Sequence, residues 1–113
     1  MCSKQELDSI LREVAAAYRL VYGDDLVKIL MYGSYARGDF DADSDVDIAA
    51  IVKGDRQTLQ NDLKKVWDVS SDLELEYETI VSPTVIPFDE YEKYREDIPY
   101  YRNMEKEGVA IVA

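Results

Sequence analysis

Helical and strand periodicities alternate along this 113-residue chain and predict an α/β (α+β) fold, a small mixed β-sheet with helices packed on it, as one domain over residues 1–113. Three observations carry the prediction. Two compact apolar runs, 26–32 and 46–52, have the length of buried strands. A helix-spaced apolar series precedes the first run and another follows the second. Apolar residues make up 47% of the chain, enough for a core.

The elements follow in order. Ser3-Lys4-Gln5-Glu6 fits a capping box, in which the Ser3 hydroxyl and Glu6 carboxylate serve the first free amides of a helix. Leu7, Ile10, Leu11, Val14, Tyr18 and Val21 then share one helical face, and Gly23 fits the stop. The strand 26–32 leads directly into Gly33-Ser34, where Ser34 is placed to cap a short helix through Arg37. A polar loop precedes the strand 46–52, which Lys53-Gly54 close. Asp55 reads as the N-cap of a helix whose inner face is Leu59, Leu63, Val66 and Trp67. Over 73–81 the residues alternate, with Leu73, Leu75, Tyr77, Thr79 and Val81 on one side, which predicts a half-buried third strand. Pro83 and Pro87 read as breaks. Short helices over 88–95 and 99–106, a stop at Gly108 and an edge strand over 109–112 complete the chain.

Composition excludes whole classes of chemistry. There is no histidine, which removes Ser-His-Asp triads, histidine bases and histidine-bound zinc. The single cysteine, Cys2, forms no internal disulfide, lacks a basic neighbour marking it as reactive, and points to a reducing cytoplasm. No apolar run approaches the roughly 20 residues of a membrane span, and the N-terminus lacks an apolar signal stretch. Asp and Glu number 24 against 13 Lys and Arg, a net charge of −11. That charge disfavours extended contact with bare nucleic acid, but not a nucleotide arriving with magnesium.

What remains is carboxylate, hydroxyl and cation chemistry, and it is concentrated between Gly33 and Ile48. A glycine and a serine between a strand and a helix let a phosphate approach free backbone amides, with the Ser34 hydroxyl as a further donor. Arg37, one turn on, can reach the same phosphates with its planar fork. A plain structural turn explains Gly-Ser equally. Asp45 and Asp47, at i and i+2 as a strand begins, point to one face. Two carboxylates so close repel unless a cation lies between them, and hard oxygen donors suit magnesium. A solvated acidic loop is the bland account of the same pair. An EF-hand is excluded, because no register of the alternating aspartates has Gly at the sixth place and Glu at the twelfth. Trp67 reads as a core anchor, and the tyrosines 91, 94, 100 and 101 as packing residues first, with a nucleotide-pocket wall or a partner surface as the alternatives.

Taken together, Gly33, Ser34, Ala36, Arg37, Gly38, Ser44, Asp45, Asp47 and Ile48 meet a motif of Gly-Ser-x-Ala-Arg-Gly, five variable residues, and Ser-Asp-x-Asp before an aliphatic residue. In this the chain resembles the minimal nucleotidyltransferases of the DNA polymerase beta superfamily, the antitoxin-type members of HEPN/MNT toxin–antitoxin pairs. The resemblance implies two Mg2+ ions held by Asp45, Asp47 and a third carboxylate on a neighbouring strand. The candidates for that third acid are Glu74, Glu76 and Glu78, with Glu78 favoured by its place in the predicted strand. The resemblance also implies ATP as substrate, gripped at Gly33, Ser34, Arg37 and Ser44. AMP would move to a hydroxyl, most plausibly on a partner protein such as a HEPN-type toxin, with release of pyrophosphate. The alternative is a module that binds a nucleotide or its partner without catalysis and neutralises the partner by covering it.

Overall fold

In the computed structural model, which describes residues 3–41 and 43–111, helix α1 runs from Lys4 to Tyr22. Its capping box is formed: Glu6 N donates to Ser3 Oγ at 3.1 Å, and Ser3 N donates to Glu6 Oε1 at 3.0 Å. A short 3-10 turn, Gly23–Asp25, joins it to β1 (Leu26–Tyr32). The one-turn helix α2 (Ser34–Arg37) and a loop lead to β2 (Val46–Val52). Then come α3 (Arg56–Tyr77), β3 (Val81–Pro87), α4 (Phe88–Tyr94), α5 (Pro99–Glu107) and β4 (Val109–Ala110).

The four strands form one mixed sheet in the order β3-β2-β1-β4. β1 is antiparallel to β2 and β4, and β2 is parallel to β3. Side chains alternate across the sheet. Ile29, Met31, Val46, Ile48, Ala50 and Val52 face α1 and α3 in the main core. Leu30, Ala49 and Ile51 face Tyr91 of α4 and Tyr101 and Met104 of α5 in a second core. Both cores bury large side chains, Ile48 and Ile51 completely, each worth roughly 1.5–3 kcal/mol relative to exposure. Tyr18 ties α1 to the sheet by donating to the carbonyls of Thr84 (2.7 Å) and Ile48 (3.3 Å).

Three expectations give way here. Residues 73–77 are helix, not strand: Leu59, Leu63, Val66, Ser70 and Leu73 are buried at helical spacing, while Leu75 is 83% exposed. The alternation of Leu and Glu was the weaker signal, since both residues are strong helix formers. The third strand starts at Val81 and includes both prolines, because β3 is a sheet edge, where a missing ladder donor is tolerated. Trp67 is half-exposed instead of sealing the inner face, and its indole N–H donates to the Pro83 carbonyl at 3.2 Å. Asp55 caps α3 as expected, accepting from the amides of Gln57 and Thr58. Residue 112 of the expected last strand and Cys2 lie outside the described residues. Among the described residues no helix is long and apolar enough to cross a membrane.

Candidate active site

β1 delivers the chain to Tyr32, directly opposite Asp47 of β2. Gly33 follows with φ 78° and ψ −157°, a conformation open to glycine and not to other residues. A Cβ there would also come against the Asp47 carboxylate, which would have to turn aside. The phosphate-type turn and the acidic pair, separated by a dozen residues of sequence, are thus in contact. Gly33, not Ser34, is the N-cap of α2, and Ser34 is its first residue. Arg37 N donates to the Gly33 carbonyl (3.1 Å), and Gly38, at φ 85°, ends the turn. A helix this short adds little dipole, so any anion here relies on the local amides and the Ser34 hydroxyl.

Asp47 shares the sheet face of Tyr32, Ala49 and Ile51. It is partly buried, and burial pushes its carboxyl above the usual carboxylate range; repulsion from Asp45 adds to the rise and Arg37 opposes it. The Arg37 guanidinium donates to Asp39 (Nε, 3.2 Å) and Glu107 (Nη1, 3.5 Å). Both pairs are exposed, so little free energy holds Arg37 away from a competing phosphate.

Ser44 is engaged inside the loop: its Oγ accepts from Asp41 N at 2.9 Å and donates to Asp41 Oδ1 at 3.3 Å. The same Asp41 oxygen accepts from Asp43 N. The loop therefore aims Asp45 through local bonds, and Ser44 serves as a brace in this structure.

The glutamates do not stand where the strand prediction put them. Glu74, Glu76 and Glu78 belong to the last turn and C-cap of α3. Glu74 Oε1 accepts from Val81 N at 2.9 Å. Glu78 adopts the left-handed conformation, φ 53° and ψ 38°, and ends the helix. β3 carries no carboxylate: the residue paired with Asp47 is Ser82, and Thr84 lies two further on. Among the described residues no group of three or more Asp, Glu, Cys or His side chains is arranged to hold a metal ion. The carboxylates left to hold an ion would be the pair Asp45 and Asp47. That set fits magnesium, which commonly takes one or two carboxylates and completes its octahedron with phosphate oxygens and water.

Tyr32 was not singled out from sequence. Its hydroxyl lies 2.7 Å from that of Tyr100, with the rings edge to face at 5.8 Å. Burial, then the bond to Tyr100, raise its pKa. The hint in the sequence was its place one residue before Gly33, but only the β1–β2 register sets it against Asp47.

A turn that admits only glycine beside paired strand carboxylates is a nucleotidyltransferase arrangement. The chain belongs to the nucleotidyltransferase domain family, whose model matches residues 8–109. Two proteins of Methanocaldococcus jannaschii are similar to it. "Putative protein adenylyltransferase MJ0141" is 34% identical over 80 residues, 71% of this chain and 79% of that protein. "Putative protein adenylyltransferase MJ0604" is 29% identical over 101 residues, 89% of this chain and 93% of that protein. A crystal structure of a toxin–antitoxin with AMP-PNP shares the fold, with a TM-score of 0.54 and 17% identity over 88% of this chain and 70% of that one.

Proposed function

We propose that this chain, as a single domain over residues 1–113 in the cytoplasm, transfers AMP from ATP to a hydroxyl of a partner protein, a HEPN-type toxin, and releases pyrophosphate. The observation that carries the reading is the close approach of Gly33 to the Asp47 carboxylate, which sets a backbone-amide turn beside the acidic pair. The family match, the adenylyltransferase names of the relatives and the toxin–antitoxin neighbour all point the same way.

Asp45 and Asp47 would hold Mg2+; burial first and the Asp45 charge second raise the Asp47 pKa, and a cation between the two carboxylates would offset both. When bound, the ion neutralises phosphate charge and acidifies the attacking hydroxyl. Gly33 and Ser34 take the β- and γ-phosphates by amide and hydroxyl donors, and Arg37 exchanges Asp39 and Glu107 for phosphate oxygens. The acceptor hydroxyl attacks the α-phosphorus in line with the departing pyrophosphate. Glu78, the third acid that the resemblance implies, ends α3 and does not lie on β3, so the ion is assigned to Asp45 and Asp47.

The test is to incubate the protein with α-labelled ATP, Mg2+ and the product of the neighbouring gene. Label should appear on the partner with wild type and vanish with Asp45→Asn/Asp47→Asn. A partner that stays unlabelled beside nucleotide-bound wild type rejects the transfer.

A second reading, binding without transfer, is favoured by the lack of a carboxylate on β3. It requires the double mutant to neutralise its partner as fully as wild type does, whereas the enzymatic reading requires neutralisation to be lost.

A further inference from the structure

Beyond a partner's hydroxyl, the catalytic face carries one of the chain's own. Four tyrosine hydroxyls donate to acceptors elsewhere: Tyr18 and Tyr22 to backbone carbonyls, Tyr91 to Glu105 and Tyr101 to Glu90. Tyr32 and Tyr100 bond to one another at 2.7 Å, and either can donate. Tyr32 is the cross-strand neighbour of Asp47, and neighbours of this kind have Cβ atoms about 4.5–5.5 Å apart on one face. The Asp47 charge reaches the Tyr32 hydroxyl. Tyr100, the second residue of α5, is 48% exposed, and its hydroxyl lies within hydrogen-bond distance of Tyr32, the neighbour of Asp47.

A cavity of about 280 Å3 opens beside Tyr100, lined by Arg56, Gln60, Thr84, Ile98 and Tyr101 as well. It follows the outer edge of β3 away from the catalytic end. Its size is close to the lower limit for small-molecule sites, roughly 300 Å3, and its lining joins the aromatic faces of Tyr100 and Tyr101 and the apolar Val85, Ile86 and Ile98 to the Gln60 amide, with Arg56 and the Tyr101 hydroxyl bonded to Glu90.

We propose that Tyr100 is an internal acceptor: without a partner, the chain adenylylates its own Tyr100, and the nucleoside so attached lodges in the cavity along β3. The inference rests on the nucleotidyltransferase reading above. In the step, Tyr100 Oη attacks the α-phosphorus of ATP. A bond from Oη to the α-phosphorus forms and the α–β anhydride bond breaks. Pyrophosphate leaves with the electron pair, and the phenolic proton passes to water at the open mouth of the site. The product is a phosphodiester that occupies the catalytic face, so a self-modified molecule is closed to a second acceptor.

The test uses the whole chain alone with Mg2+ and α-labelled ATP, followed by mass spectrometry of its peptides. One adenylyl group is expected on Tyr100. Tyr100→Phe should drop label to background while keeping a melting-temperature rise with Mg2+-ATP of wild-type size. Labelling per molecule should not depend on protein concentration. Label at another residue, label retained by Tyr100→Phe, or a labelling rate per molecule that rises with protein concentration overturns the proposal. No label with an intact Mg2+-ATP melting shift also overturns it and leaves the nucleotidyltransferase reading standing. No label and no shift overturns both.

Discussion

Asp47 shows in one residue how a site opposes the fold that carries it. Its carboxylate is partly buried and faces Asp45, and both disfavour the charge, burial the more. A carboxyl whose folded pKa is raised costs stability once pH exceeds that pKa, and the cost vanishes as pH falls through it. Asp47→Asn should therefore raise the melting temperature of the nucleotide-free protein at neutral pH and flatten its rise on mild acidification. The same variant should lose the stabilisation by Mg2+-ATP, which for wild type is about 2.7 kcal/mol at a hundredfold excess over Kd. Thermal denaturation at several pH values, with and without Mg2+-ATP, reads both effects. A lower melting temperature for the nucleotide-free variant contradicts the electrostatic account; an unchanged ligand shift contradicts the metal role. Glu78 tests the other end of the assignment. At φ 53° it occupies a left-handed conformation that costs residues other than glycine about 1–2 kcal/mol, so Glu78→Gly should stabilise the fold. Because Glu78 sits on a helix cap and not on the strand beside Asp47, Glu78→Gln should keep the Mg2+-ATP shift; its loss would restore Glu78 as a metal ligand.

At the scale of elements, α1 is fastened to the two strands that matter most for the site. The buried Tyr18 hydroxyl reaches carbonyls on β2 and β3, and the desolvation that raises its pKa shows how dry the junction is. Tyr18→Phe keeps the ring and orphans those carbonyls on one side, so it should cost about 1–3 kcal/mol in chemical denaturation with the denaturant dependence unchanged. A cost near zero would mean that water replaces the hydroxyl. Up to Val52 the elements are legible from periodicity alone, because caps and breakers coincide with the ends of the apolar runs: Ser3 and Gly23 bound α1, and Gly33 separates β1 from α2. Past Asp55 that agreement fails. Leu73 to Tyr77 alternate like a strand, yet they continue a helix whose face had already been set by Leu59 to Val66. Pro83 and Pro87 look like breaks until β3 is known to be an edge. The motif residues of the site were legible because their types and spacing are special. Tyr32 and Thr84 were not, since strand register decides which neighbours share a face with Asp47, and register depends on contacts between distant segments.

For the whole molecule the governing quantity is the net charge of −11. A charge that large destabilises the compact state by self-repulsion while favouring encounter with a basic partner. The two effects respond to salt in opposite senses. Raising ionic strength from about 0.01 M to 0.15 M shortens the screening length from roughly 30 Å to 8 Å, less than the shortest extent of the molecule, 21 Å. Repulsion between distant carboxylates is then lost, and the melting temperature of the isolated chain should rise with sodium chloride over this range. Association with a basic protein partner loses its steering field over the same range, so its on-rate should fall, by about tenfold or more where steering is strong. Stopped-flow binding and thermal denaturation in matched buffers measure the two trends. An on-rate indifferent to salt would remove charge complementarity as the basis of partner choice, whatever the melting curves show, because the field that destabilises this acidic chain is the same field that would draw a cationic protein to it.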